Sequence, residues 1–96
     1  MAKLDEKQIT EELKSLVSWQ LSGGKLHREY KFASFERAMA FLMAAVPGIQ
    51  QMDHHPEWAN VYNRVTVDLT THSAGGVTQK DFKLAAHLED LAQRLG

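Results

Sequence analysis

The alternation of apolar and polar positions divides the chain into seven elements: helix, strand, strand, helix, strand, strand, helix. Ile9, Leu13, Leu16 and Val17 recur at helical spacing. Asp5, with Gln8 three residues later, makes the capping-box pattern that opens such a helix. Trp19-Gln20-Leu21 reads as a short strand, followed by the hairpin-turn pair Gly23-Gly24. From Leu26 to Phe32 the period is two. Leu26, Tyr30 and Phe32 fall on one side and His27, Glu29 and Lys31 on the other. Arg28 interrupts the apolar side, which suits a position at a sheet edge. Ser34 is the expected N-cap of a second helix with the stripe Ala38, Phe41, Leu42 and Ala45, and Pro47-Gly48 is expected to stop it.

Residues 58–71 are rich in aromatic and β-branched side chains, and a turn within 60–63 is expected to split them into two strands. In the second of these, Val65, Val67 and Leu69 face one way, while Thr66, Asp68, Thr70 and His72 face the other. After the loop at Gly75-Gly76, Thr78 and Asp81 form another capping-box-like start. Leu84, Leu88, Leu91 and Leu95 then share one helical stripe, widened by Phe82, Ala85 and Ala92. So broad a stripe fits a core face or a subunit interface. The fold class expected is α+β: a four-stranded antiparallel sheet with helices on one face and a polar opposite face.

With 96 residues, 44% of them apolar and 24% charged, one globular domain spanning residues 1–96 is expected. A domain of this size buries only about 60–65% of its unfolded surface, and self-association is a common remedy. The absence of cysteine excludes disulfides, thiolate catalysis and cysteine zinc sites. A net charge of −1 without any basic run argues against direct nucleic-acid binding. No apolar run approaches the roughly 20 residues that span a bilayer. The opening residues lack the apolar centre of a signal peptide, so the expected location is cytoplasmic, away from the membrane.

The remaining signal is in the histidines. His27 and His87 read as ordinary surface residues. His54 and His55 sit in Asp53-His54-His55-Pro56-Glu57-Trp58, beyond the expected helix stop. Pro56 biases His55 towards extended backbone, so the two rings point in different directions and could reach different sides of one ligand. Taken alone, the pair fits an exposed loop equally well. Metal binding is the weaker rival, because adjacent side chains in an extended segment rarely share an ion. His72 belongs by parity to the polar side of its strand, at a strand end beside a glycine loop, where functional side chains often lie. Phosphate-binding loops and a Ser-His-Asp order are absent, and Trp19 reads as packing rather than ligand stacking.

Together these segments resemble a known family. Asp53 to Trp58, Asn60-Val61-Tyr62-Asn63, Leu69-Thr70-Thr71-His72, Gly76-Val77-Thr78 and Asp81 are similar, in order and spacing, to the pterin-4a-carbinolamine dehydratases. The resemblance covers nearly the whole chain. It implies the α+β fold already read, no metal or redox cofactor, and a homodimer or homotetramer. The implied reaction dehydrates a 4a-hydroxytetrahydropterin to the quinonoid dihydropterin, in service of an aromatic amino-acid hydroxylase. It makes His54 and His72 the candidate general acids, with His55 holding or deprotonating the pterin. Asp53, Thr70, Thr71 and Ser73 would line the substrate site, Trp58 would form a wall, and Asp81 would orient a histidine. Imidazole suits the task because both of its forms exist near neutral pH. One departure stands out: active members usually carry an ionisable residue four positions before the first histidine, where this chain has Gln50. Glutamine hydrogen-bonds but does not titrate. The alternative is a non-catalytic pterin-binding or regulatory protein on the same scaffold, since vertebrate members also act as dimerisation partners of a homeodomain transcription factor.

Overall fold

Two hairpins build the sheet. The computed structural model describes residues 2–95. In it β1 (Gln20–Ser22) turns through Gly23 and Gly24 into β2 (Lys25–Lys31). Both glycines have positive φ, 58° and 77°, the conformation a two-residue primed turn demands. The second hairpin joins β3 (Glu57–Val61) to β4 (Arg64–Leu69). The strands lie in the order β1-β2-β4-β3, all antiparallel. Around them run α1 (Glu6–Glu12), α2 (Phe35–Met52) and α3 (Gln79–Leu95), so the predicted element order and fold class are those observed.

Register explains the core. Leu26 pairs with Leu69, Tyr30 with Val65, and Trp58 with Val67, so the apolar sets of three strands share one face. That face packs on Phe41, Ala38 and Ala45 of α2 and on Leu84 and Leu88 of α3, all fully buried. Each buried Leu, Val or Phe contributes about 1.5–3 kcal/mol relative to exposure. β1 pairs only with Lys25 to His27, so β2 is a free edge from Arg28 onward. Arg28 fits there as expected. Its guanidinium lies 4.1 Å from the centroid of the Tyr30 ring, and its Nε is 3.3 Å from Glu89 Oε1. The same carboxylate oxygen accepts from Trp19 Nε1 at 2.9 Å and from the Tyr30 hydroxyl at 2.8 Å. Burial pushes the Glu89 carboxyl up, but the donors Tyr30, Arg28 and Trp19 outweigh it and hold the group below the ordinary glutamate range. Burial first, then the Glu89 carboxylate, pushes the Tyr30 phenol far up.

Four expectations are corrected. Pro47 and Gly48 do not stop α2, which continues to Met52. An interior proline forfeits one backbone hydrogen bond, yet the extra turn carries Ile49 into the core and packing prevails. The helix ends at Asp53, in left-handed conformation with φ 49°, its N–H bonding the Gln50 and Ile49 carbonyls. Gly48 instead permits close helix contact, since a Cβ there would lie 2.3 Å from His87 Nε2. His87 is therefore not a surface residue: it is half-buried, with Nε2 enclosed and without a hydrogen-bond partner among the described residues. Val17 leaves the expected stripe and is 86% exposed, because α1 gives way to a 3-10 turn at Leu13–Ser15 and the spacing shifts. β4 ends at Leu69, and His72 opens a second 3-10 turn, His72–Ala74, rather than closing the strand. No helix among the described residues is long and apolar enough to cross a membrane.

Candidate active site

The site is assembled by three connections. The left-handed cap at Asp53 swings the chain off α2, and the following residues place His54 inward and His55 outward, as the extended backbone before Pro56 requires. The bridge between Thr71 and Gly76 closes a loop whose 3-10 turn carries His72. The start of α3 brings Asp81 beneath both.

Asp81 is fully buried and accepts on both oxygens. Oδ1 takes His54 Nε2 at 2.5 Å, and Oδ2 takes the Thr71 hydroxyl at 2.8 Å and the Thr78 backbone N–H at 2.9 Å. Thr71 and Thr78 also join through their hydroxyls at 2.8 Å, and the Thr78 oxygen accepts the Lys80 N–H at 3.2 Å. Asp81, which accepts the Thr78 N–H at the start of α3, thus doubles as the anchor of a histidine. With His54 only 9% exposed, this closed network fixes its ring.

The other two rings lie nearer solvent. His55 Nε2 is 3.1 Å from Gln50 Oε1, one turn back on α2. His72 Nε2 is 3.3 Å from Glu57 Oε2, and the other oxygen of Glu57 accepts Lys25 Nζ at 2.6 Å. The Lys25 ammonium, bonded to it, holds the Glu57 carboxyl below the usual carboxylate range, and His72 adds to the effect. Each of the three site histidines meets an oxygen through Nε2: Asp81 Oδ1 for His54, Gln50 Oε1 for His55 and Glu57 Oε2 for His72. A carboxylate only accepts, so Asp81 and Glu57 favour hydrogen on the Nε2 that faces them, which leaves Nδ1 of those rings for a ligand. No group of three or more His, Asp or Glu side chains able to hold a metal ion occurs among the described residues.

Comparison with known proteins bears directly on this arrangement. The family model for pterin 4 alpha carbinolamine dehydratase matches residues 2–91. The chain belongs to that family. A Solibacter usitatus relative is 56% identical over 90 residues, covering 94% of this chain and 95% of the relative. One from Metallosphaera sedula is 44% identical over 91 residues, covering 95% of each chain. Both carry the name "Putative pterin-4-alpha-carbinolamine dehydratase". The crystal structure of a Brucella melitensis protein, described as a transcriptional coactivator/pterin dehydratase, superposes with a TM-score of 0.90 at 41% identity, covering 94% of this chain and 98% of that one. A pterin dehydratase-like protein described as a RuBisCO assembly factor shares the fold at 24% identity and TM-score 0.67.

Within this dehydratase-family fold, the residues singled out in the sequence occupy distinct places. His54, Thr71 and Asp81 form the buried network. Asp53, His55, His72 and Ser73 are exposed, and Thr70 is half-buried between β4 and the loop. Trp58 is paired with Val67 on the helix-packed face, against the core. Glu57 and Lys25 escaped the sequence reading. Their signal was present as strand parity: Glu57 pairs with Asp68, which pairs with His27, on the same polar side assigned to His72. A concavity of about 540 Å³ between α1 and α3, lined by Leu16, Phe82 and Ala86, carries none of the three histidines.

Proposed function

We propose that the protein dehydrates a 4a-hydroxytetrahydropterin to quinonoid dihydropterin and water, with His54, His55 and His72 as its catalytic residues. The observation that carries this reading is the buried bond of His54 to Asp81, with His55 and His72 each meeting an oxygen through Nε2 as well, so that every ring keeps Nδ1 for the substrate. The reaction breaks the C4a–O bond and the N5–H bond. One imidazolium gives its proton to the departing hydroxyl, a role suited to His54 or His72. His55 takes the N5 proton, and the electron pair left on N5 closes the new C=N bond. Each correctly placed proton donor or acceptor contributes roughly 10²–10⁴-fold. Asp81 orients His54 through a buried hydrogen bond. Asp53, Thr70, Thr71 and Ser73 contribute backbone and side-chain contacts to the pterin, and Trp58 forms a wall of the site. The protein would act in the cytoplasm, recycling the pterin of an aromatic amino-acid hydroxylase.

A second reading has its own support. Gln50 stands where, by the resemblance, active members of the family usually carry an ionisable side chain, and α2 exposes Met43 (70%) and Val46 (41%) on a face suited to association. A regulatory protein that keeps these residues but not the turnover would look the same, and either form would associate as a homodimer or homotetramer through such a surface. The test is the rate of dehydration of freshly generated 4a-hydroxytetrahydropterin with and without the protein. Acceleration supports the enzyme. Pterin binding without acceleration supports the regulatory reading.

A further inference from the structure

His72 raises a problem that His54 does not. Its side chain is 81% exposed on a three-residue 3-10 turn. An imidazole so placed samples several orientations, and a misplaced proton donor forfeits most of its advantage. The described contact that holds it is Glu57 Oε2 at 3.3 Å. Glu57 is itself constrained three ways. It follows Pro56 directly, it is in register with Asp68 across β3 and β4, and its second oxygen accepts Lys25 Nζ at 2.6 Å from β2. Lys25 therefore reaches past β4 on the helix-free face of the sheet. Asp68, lying between them, has its own partner in His27 Nδ1 at 2.8 Å.

An exposed lysine–glutamate pair contributes little to stability. Its geometric consequence is larger. The carboxylates of Glu57 and Asp68 are directly opposed across the ladder, an arrangement that repels unless a cation sits beside them. With Lys25 in place, Glu57 stays extended towards the His72 loop. The segment that bears His54 and His55 thus also supplies the acceptor for the third histidine, and ties the two loops into one site.

We infer that Glu57 is a positioning residue for His72, held in place by Lys25, so that the site extends onto the helix-free face of the sheet. This rests on the dehydratase reading above. Glu57 touches no reacting atom; it fixes hydrogen on Nε2 of His72 and aims Nδ1 at the substrate.

The test compares wild type, Glu57→Ala, Glu57→Gln and Lys25→Met, reading kcat and KM separately, with ¹⁵N spectra of the His72 ring in the same samples. Glu57→Ala is expected to lower kcat about tenfold, a fraction of a full acid–base contribution, and to leave KM within about twofold. Glu57→Gln keeps an accepting oxygen and restores most of the loss, while Lys25→Met falls between. The His72 Nε2 resonance moves in Glu57→Ala while those of His54 stay, which also reports an intact fold. In a His72→Ala background, Glu57→Ala should cost nothing further. Wild-type kcat in Glu57→Ala, additive losses in the double variant, or unmoved His72 signals would each overturn the inference. A wild-type protein no faster than the spontaneous reaction would instead sink the dehydratase reading, and the ring spectra alone would then decide whether Glu57 positions His72.

Discussion

Replacing Asp81 with asparagine should separate orientation from stability. The carboxylate accepts three hydrogen bonds in full burial, from His54, Thr71 and Thr78. Asparagine has one accepting oxygen. If that oxygen stays with Thr71 and Thr78, the new amide NH₂ faces His54 Nε2, donor against donor. The ring relieves the clash by moving its hydrogen to Nδ1, so that Nε2 accepts. The neutral ring then has the wrong tautomer, and the imidazolium cannot form without restoring the clash. Turnover should fall about 100-fold or more, within the range a positioned acid supplies. Losing the charge weakens three charge-assisted bonds but also removes the cost of burying a carboxylate. The net destabilisation is about 1–2 kcal/mol, or a Tm lower by about 5–15 °C in a domain of this size. Asp81→Ala leaves the donors unpaired and should cost about 3–5 kcal/mol. Thermal unfolding, steady-state kinetics and ¹⁵N tautomer assignment of His54 test each part. An Asp81→Asn protein with wild-type turnover and hydrogen still on Nε2 would refute the reasoning.

Three further outcomes are expected. Gly48→Ala should destabilise by about 1–3 kcal/mol in chemical denaturation, since its Cβ would sit 2.3 Å from His87 Nε2, and His87→Ala should remove most of that penalty when combined with it. Gln50→Glu places a carboxylate beside His55 Nε2 and should raise kcat several-fold, read in the same assay, if its acceptor role is improved by charge. Glu89 is held below its ordinary value of 4.5, so its contribution to stability is present above that value and fades as pH falls through the lower folded-state value. Stability measured from pH 7 down to pH 3 should therefore decline more gently in Glu89→Gln than in wild type.

Much of this molecule was legible from residue pattern. Period-two alternation at Val65, Val67 and Leu69 fixed a strand and its inner face, and the spacing of Leu84 and Leu88 fixed the buried side of α3. The cap at Thr78 and Asp81 was readable, because capping depends on three-residue spacing. What escaped depended on tertiary context. Pro47 marks a helix end locally, and only the packing of Ile49 keeps α2 going. His87 looks like surface until α2 approaches at Gly48. The tie between Glu57 and His72 spans a strand and a loop, and Lys25 reaches it across the sheet, so no local pattern announces it. The resemblance pointed to Asp81 as the orienting acid. The structure adds that Gln50 and Glu57 contact the other two rings through the same nitrogen.

The most direct test of the central claim is the dehydration rate of 4a-hydroxytetrahydropterin with wild-type protein and with His54→Ala, each against the spontaneous rate, together with pterin affinity for both. The account predicts clear acceleration by wild type, its loss by about 100-fold or more in His54→Ala, and pterin affinity changed by only a few-fold. A variant that turns over as fast as wild type, or a folded wild-type protein that binds pterin without accelerating the reaction, would contradict it.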